Sequence, residues 1–341
     1  MTVGMPGERL AAMPKVELHV HVEGAQLPET IWAMAVRNGV ALPAASLEAW
    51  KRFYAFRDFE HFIEVYIAAS RAMVTAEDFR AMIVAFHAGQ AAQNIVYTEA
   101  FLSASLFVNK IGWPDMIAAL RDGLAEGRER HGVEVRLIPD IARNFPDTKE
   151  RVLAFTLEGQ RAGVFIGLGL GGLEAGFPPE LFRDEFAEAR AHGLHVVAHA
   201  GEAAGAESVR GAVEALGAER IGHGIRSLED ASLVALLRER RTPLEVCPIS
   251  NYRTGVVPEG APHPILRMLD EGLNVTVSSD DPPMFATSLT DEYRWLAGQG
   301  VSLERLLACN RAAVDASFLE PEAKDRLLDA LRSFDAAWTQ E

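Results

Sequence analysis

In the run Lys15-Val16-Glu17-Leu18-His19-Val20-His21-Val22-Glu23, two histidines are separated by one apolar residue. Alternate side chains of an extended strand share a face, so His19 and His21 point the same way and can grip one ion. Two histidines in a half-buried strand would read the same, and the decision comes from further along the chain. Three more polar clusters follow: His199-Ala200-Gly201-Glu202, Gly222-His223-Gly224 and Ser278-Ser279-Asp280-Asp281. Imidazole with carboxylate suits zinc, which holds nitrogen at roughly 2.0–2.1 Å and activates water when one position stays open. The residue types assign His19, His21, His199 and Asp280 to a single zinc ion. Glu202, His223 and Asp281 are left beside the metal as an acid, a base or orienter, and a second carboxylate, which is a hydrolytic set. His61, His87, His131, His192, His195 and His263 fall in helices, in loops or lower in a strand and are read as structural.

Two other metal chemistries are tested by the letters. His21-Val22-Glu23 imitates the His-x-Glu of cytidine-type zinc deaminases, but their Pro-Cys-x-x-Cys partner is missing, since the two cysteines are Cys247 and Cys309. A two-metal site bridged by a carbamylated lysine needs a lysine at the end of the fourth strand, and Val164 to Gly172 contains none.

Elements able to bring these clusters together are visible as apolar, β-branched runs alternating with helical periodicity. Eight strands are expected: Val16–His21, Ile95–Ser103, Val133–Ile141, Val164–Gly171, Leu194–Ala200, Arg220–Gly224, Leu244–Ile249 and Val275–Ser279. Helices are expected over Pro28–Arg37, Asp78–Ala91, Trp113–Arg130, Lys149–Arg161, Pro179–Ala191, Ala206–Leu216, Leu228–Arg238 and Pro264–Glu271. Eight strand–helix units imply a closed (β/α)8 TIM barrel, whose active site lies at the C-terminal ends of the strands, where all four polar clusters fall. The first connection is too long for one helix and is crowded with Phe53, Tyr54, Phe56, Phe59, Phe62 and Tyr66, an aromatic lid or an added apolar subdomain. Leu303–Ala313 and Pro321–Ala336 read as extra amphipathic helices covering the barrel. No linker or repeat divides the 341 residues, so one domain is expected.

Composition narrows the partners. A net charge of −15 excludes a phosphate-tracking surface, hence nucleic acid. No apolar run reaches the roughly 18 residues of a membrane helix, and two cysteines fit a reducing compartment, so an unexported cytoplasmic protein with a small-molecule substrate is expected. Composition leaves the oligomeric state open.

From about Met13 to the region of Leu319 these residues resemble the adenosine deaminase family of the amidohydrolase superfamily. The resemblance rests on Pro14-Lys15-Val16-Glu17-Leu18-His19-Val20-His21, Gly172 with Glu174, His199-Ala200-Gly201-Glu202, Ile221-Gly222-His223-Gly224, Cys247-Pro248-Ile249-Ser250-Asn251 and Ser279-Asp280-Asp281-Pro282. It implies a zinc-dependent barrel that replaces the 6-amino group of an aminopurine with oxygen, releasing ammonia without an organic cofactor. It gives the same four zinc ligands, with Glu202 protonating purine nitrogen 1 and His223 orienting or deprotonating the attacking water. Asp281 would hold nitrogen 7, the Gly172 amide would meet nitrogen 3, and His21 and Glu23 would also face the substrate. Adenosine deaminases usually carry Asp at the position of Glu23, which meets the ribose 5′-hydroxyl, and Glu there resembles the adenine deaminase subgroup. Phe101 also replaces an Arg usual in adenosine deaminases, whereas Ser250-Asn251-Tyr252-Arg253-Thr254-Gly255 and Glu202-Ala203-Ala204-Gly205 look nucleoside-type. The expected substrate is a 6-aminopurine nucleoside, either adenosine or a 5′-modified adenosine such as aminodeoxyfutalosine. Free adenine is the alternative, and a catalytically inactive binding protein of this fold the remote one. Arg143 and Arg253 are the cations placed to meet a carboxylate on a 5′-modified substrate, and Glu23 either binds ribose or braces the loop before the Pro28 helix.

Overall fold

The computed structural model describes residues 6–339 apart from 56 and 58. Of the aromatics expected in a lid, Phe56 and the side chain of Phe59 lie outside the described residues. Eight parallel strands follow one another in chain order around a nearly closed barrel: β1 (Lys15–Glu17), β2 (Ile95–Leu102), β3 (Glu134–Ala142), β4 (Gly167–Gly171), β5 (His195–Ala200), β6 (Arg220–His223), β7 (Leu244–Val246) and β8 (Val275–Val277). The ends of the sheet meet through an isolated bridge between Val20 and Asp280, where the His21 amide donates to the Asp280 carbonyl (2.9 Å) and the Asp280 amide to the His19 carbonyl (3.1 Å). Parallel strands are buried on both faces, and the core divides accordingly. Phe101, Ile138 and Val197 pack inside the barrel, apart from the larger apolar layer between strands and helices.

Three strands stop earlier than the apolar pattern implies. β1 leaves the ladder after Glu17, and Val20 and His21 touch their neighbours only through single bridges. Extended chain and paired strand share the same alternation of side chains, so the pattern cannot tell them apart. β7 ends at Val246 because Pro248, which has no amide hydrogen to give to a ladder, starts a helix over Pro248–Arg253. β8 ends at Val277, ahead of the polar run Ser278 to Asp281. The helix expected from Leu228 starts instead at Ala231, because the Asp230 carboxylate caps it by accepting the amides of Ser232 and Leu233. Ala206–Leu216 divides into an α-helical turn and a wider π-helical turn from Ala212.

The long first connection holds helices over Pro28–Asn38, Leu47–Tyr54 and Phe59–Arg71 before the Ala76–Ala92 helix that returns to β2. Trp50 is wholly buried, its indole donating to the Pro28 carbonyl, and the Tyr54 hydroxyl donates to the Gln26 carbonyl. Phe62 stacks on Phe285 with ring centres 5.0 Å apart, which lays the Phe59–Arg71 helix over the rim. At the far end of the chain Asn310, on the Leu303–Ala316 helix, accepts the Val16 amide and donates to the Pro14 carbonyl, satisfying backbone groups of β1 that no strand covers. Among the described residues no helix is long and apolar enough to cross a membrane.

Candidate active site

Where the strands end, the side chains of His19, His21, His199 and Asp280 bring ligand atoms within 4.8 Å of one another, and all four residues are buried. The His21 and His199 Nε2 atoms are 3.1 Å apart, while Asp280 Oδ1 lies 3.5 Å from His19 Nε2 and 3.4 Å from His21 Nε2. Four donors at about 2.0–2.1 Å from a tetrahedral ion stand about 3.3 Å from each other, so the spacing is that of a metal site. The tautomers agree. Glu245 can only accept from His19 Nδ1 (3.1 Å) and the Leu170 carbonyl only from His199 Nδ1 (2.9 Å), so both rings turn an unprotonated Nε2 inward. His19 Nε2 has no hydrogen-bond partner, the mark of a donor waiting for a cation.

Electrostatics point the same way. Burial holds the His21 imidazole down at about 4 and keeps His199 well below its ordinary value, so both rings are neutral ligands. Burial also opposes a charge on His19, but Asp280 and Glu245 outweigh it and raise that ring to about 9. Without a cation the two carboxylates draw a proton to the place that a metal would fill. Asp280 (φ 65°) and His223 (φ 59°) both hold left-handed backbone, a strained conformation for residues other than glycine that concentrates at functional sites.

Glu202 and His223 stand next to this cluster: Glu202 Oε2 is 3.7 Å and Asp280 Oδ2 3.8 Å from His223 Nε2. Burial, then the charges of Asp280 and Glu174, push Glu202 up to about 8, so it carries a proton at neutral pH. Glu174, which the sequence marked only as part of a motif, explains how Glu202 is held. Its carboxylate accepts the backbone amides of Gly201, Glu202, Ala203 and Ala204 at 2.6–3.0 Å and the Ser208 hydroxyl at 2.7 Å. Glu17 does similar work at the other side of the rim, taking both the amide and the hydroxyl of Ser279, next to Asp280. Ser250, at the helix that replaced the end of β7, donates to Asp280 Oδ2 at 2.6 Å.

Near the ligands sit three more buried carboxyl groups, Glu23, Asp140 and Asp281. Of the Glu23 carboxyl, Oε1 accepts the Ser103 amide (2.9 Å) and Oε2 meets the Tyr66 hydroxyl (3.5 Å), which is itself 2.7 Å from Ser103 Oγ. Asp140, at the end of β3, was not singled out in the sequence; its position at a strand end was the available signal. Oδ1 of Asp140 and Oδ1 of Asp281 are buried without a hydrogen-bond partner. Asp281 packs so closely on Gly24 that a methyl group there would overlap its carboxylate. Phe101 forms an apolar wall, its ring 5.0–5.2 Å from those of His19, His21 and His199. Gly172 takes a left-handed turn (φ 78°) beside Asn144, at the end of β4.

The two arginines differ in how far they are taken up by the fold. Arg143 is buried, with its guanidinium donating to the Phe177 and His199 carbonyls, so it supports β5 from behind. Arg253 is exposed and its Nε donates to the Phe285 carbonyl. His263 is more than a packing residue, for it contacts Asn251, which contacts His223.

The sequence pattern of the family described as adenosine deaminase matches residues 14–334. An adenine deaminase of Bordetella avium is 38% identical over 309 residues, 89% of this chain and 97% of that protein. Among solved structures, an adenine deaminase from Arthrobacter aurescens is 33% identical with a TM-score of 0.90, covering 95% of this chain and 100% of that one. An amidohydrolase from Burkhoderia ambifaria, solved with bound Zn, is 25% identical with a TM-score of 0.90, covering 100% of this chain and 96% of that one. This chain therefore belongs to the adenosine deaminase family and is a hydrolase that cleaves a C–N bond.

Proposed function

We propose that the protein converts adenine to hypoxanthine and ammonia, the alternative raised by Glu23, in preference to a nucleoside. The observation that carries this reading is the group of buried carboxyls beside the metal ligands, where Asp140 Oδ1 has no hydrogen-bond partner and Glu23 is tied to Ser103 and Tyr66. A free purine base brings an N–H group on its five-membered ring to such an acceptor, whereas a nucleoside has replaced that hydrogen with a sugar. The relatives named adenine deaminase support the same choice.

His19, His21, His199 and Asp280 are the residues that would hold zinc, whose presence in the Burkhoderia ambifaria protein supports that ion over others. A zinc ion held there supplies a Lewis acid that makes water nucleophilic at neutral pH. Glu202, protonated and fixed by Glu174, gives its proton to ring nitrogen 1, which makes carbon 6 electrophilic and disperses charge as that carbon becomes tetrahedral. His223 orients the attacking water across from Glu202, Asp281 positions the ring through nitrogen 7, and the Gly172 amide meets nitrogen 3. Phe101, packed on the rings of His19, His21 and His199, gives the site an apolar wall.

Ammonia release measured for adenine, 9-methyladenine, adenosine and aminodeoxyfutalosine tests the proposal. Adenine should be preferred by at least about 10², because a site built to bond an N–H discriminates strongly against its absence. Preference for either nucleoside would return the substrate to the first expectation.

A further inference from the structure

His263 is almost wholly buried, ringed by Tyr252 and Trp295, and 40 residues beyond His223 in the chain, with no contact to the metal-ligand cluster. Its hydrogen bonds nonetheless form a line that ends on His223. The Ile265 amide donates to His263 Nδ1 at 3.0 Å. A backbone N–H has no other role, so His263 Nδ1 must be unprotonated, and the neutral ring carries its hydrogen on Nε2. That hydrogen goes to Asn251 Oδ1, 3.2 Å away, which fixes which end of the amide is oxygen. The other end, Asn251 Nδ2, then donates to His223 Nδ1 at 3.1 Å. Each link removes a choice from the next one, starting from a donor that cannot be reversed.

We infer that His263 and Asn251 lock neutral His223 in the tautomer with its hydrogen on Nε2, making His223 a hydrogen-bond donor to the attacking water rather than the base that deprotonates it. An amide nitrogen can only donate, so His223 Nδ1 is the acceptor and the ring hydrogen lies on Nε2. The Nε2–H points between Glu202 Oε2 and Asp280 Oδ2, where an acceptor lone pair on water or on the tetrahedral centre would meet it. His263 is a positioning residue: it touches neither substrate nor metal ligand and acts through Asn251. The inference deepens the catalytic reading of this site and holds for any 6-aminopurine.

The test uses full-length zinc-loaded enzyme with histidine labelled by ¹⁵N, and reads the His223 tautomer from its ring nitrogen shifts, assigned with His223→Gln. His223 should show a protonated Nε2 and a bare Nδ1; the reverse pattern in the parent enzyme would overturn the inference without any bearing on the substrate. His263→Leu removes the donor to Asn251, freeing the amide to turn its oxygen to His223, so the Nδ1–H form should appear and kcat should fall by on the order of 10-fold or more with KM and zinc content kept. His263→Gln keeps an N–H for Asn251 and should restore most of both. An unchanged tautomer and kcat in His263→Leu would overturn the lock, and if that variant does not fold, the parent spectrum decides alone. Failure of the adenine assignment would show in the substrate panel and leave this spectrum as it is.

Discussion

At the scale of single residues the site separates holding a metal from moving a proton. His199→Ala or Asp280→Ala removes one of four converging donors from a cluster that must also leave a position for water, so metal content and turnover should fall together. Elemental analysis beside an ammonia assay decides it: full zinc with full turnover in either variant rejects the ligand set. Glu202→Gln should keep the metal but lose turnover by on the order of 10² or more, since an amide cannot deliver the proton. The sign of the pH dependence follows from the same group. Burial raises Glu202 to about 8, so the donor is present below that pH and is lost as pH rises through it. The parent enzyme should therefore show kcat/KM falling above about pH 8, and the Gln variant should lack that limb; a parent profile flat to pH 10 would count against Glu202 as the acid.

At the scale of elements, the helix Phe59–Arg71 reaches across the rim to place Tyr66 against Ser103 and Glu23. Tyr66→Phe keeps the ring and removes the hydroxyl that ties this helix to the end of β2, which should cost about 0.5–1.5 kcal/mol, or roughly two- to thirteenfold in kcat/KM. Steady-state kinetics with adenine checks it, and no change would mean that the helix is held by its apolar contacts, among them Phe62 on Phe285. The strand order, the barrel and the placement of His19, His21, His199, His223 and Asp280 were readable in the sequence because period-two alternation and strand ends are local signals. Glu17 was readable by the same rule, sharing a face with His19 and His21, although only its letter in a motif was noted. Asp140 could have been picked out by its place near the end of β3, but the roles of Glu174, Glu245 and His263 were not readable, because the groups they hold come from other strands and loops. Arg143 misled for that reason: a strand-end arginine looks like a ligand for an anion until the carbonyls of Phe177 and His199 are seen to occupy it.

At the scale of the whole molecule, any ion bound by the folded cluster and not by the unfolded chain stabilises the fold, by about 4 kcal/mol at a free concentration a thousand times Kd. Chelation should lower the melting temperature and added zinc restore it, with His199→Ala insensitive to both; a parent melt unchanged by chelator would argue that the cluster stays empty. The joint between Val20 and Asp280 gives this dependence a location. His19 and His21 follow the first strand and Asp280 lies beyond the last, so a cation gripped by all three acts as a clasp on a hoop whose two ends also meet at the Val20–Asp280 bridge and where Glu17 takes Ser279. Stripped of its ion, the hoop should slip open along that one meridian, with amide exchange quickening at His21 and Asp280 while the ladders from β2 to β6 stay shut.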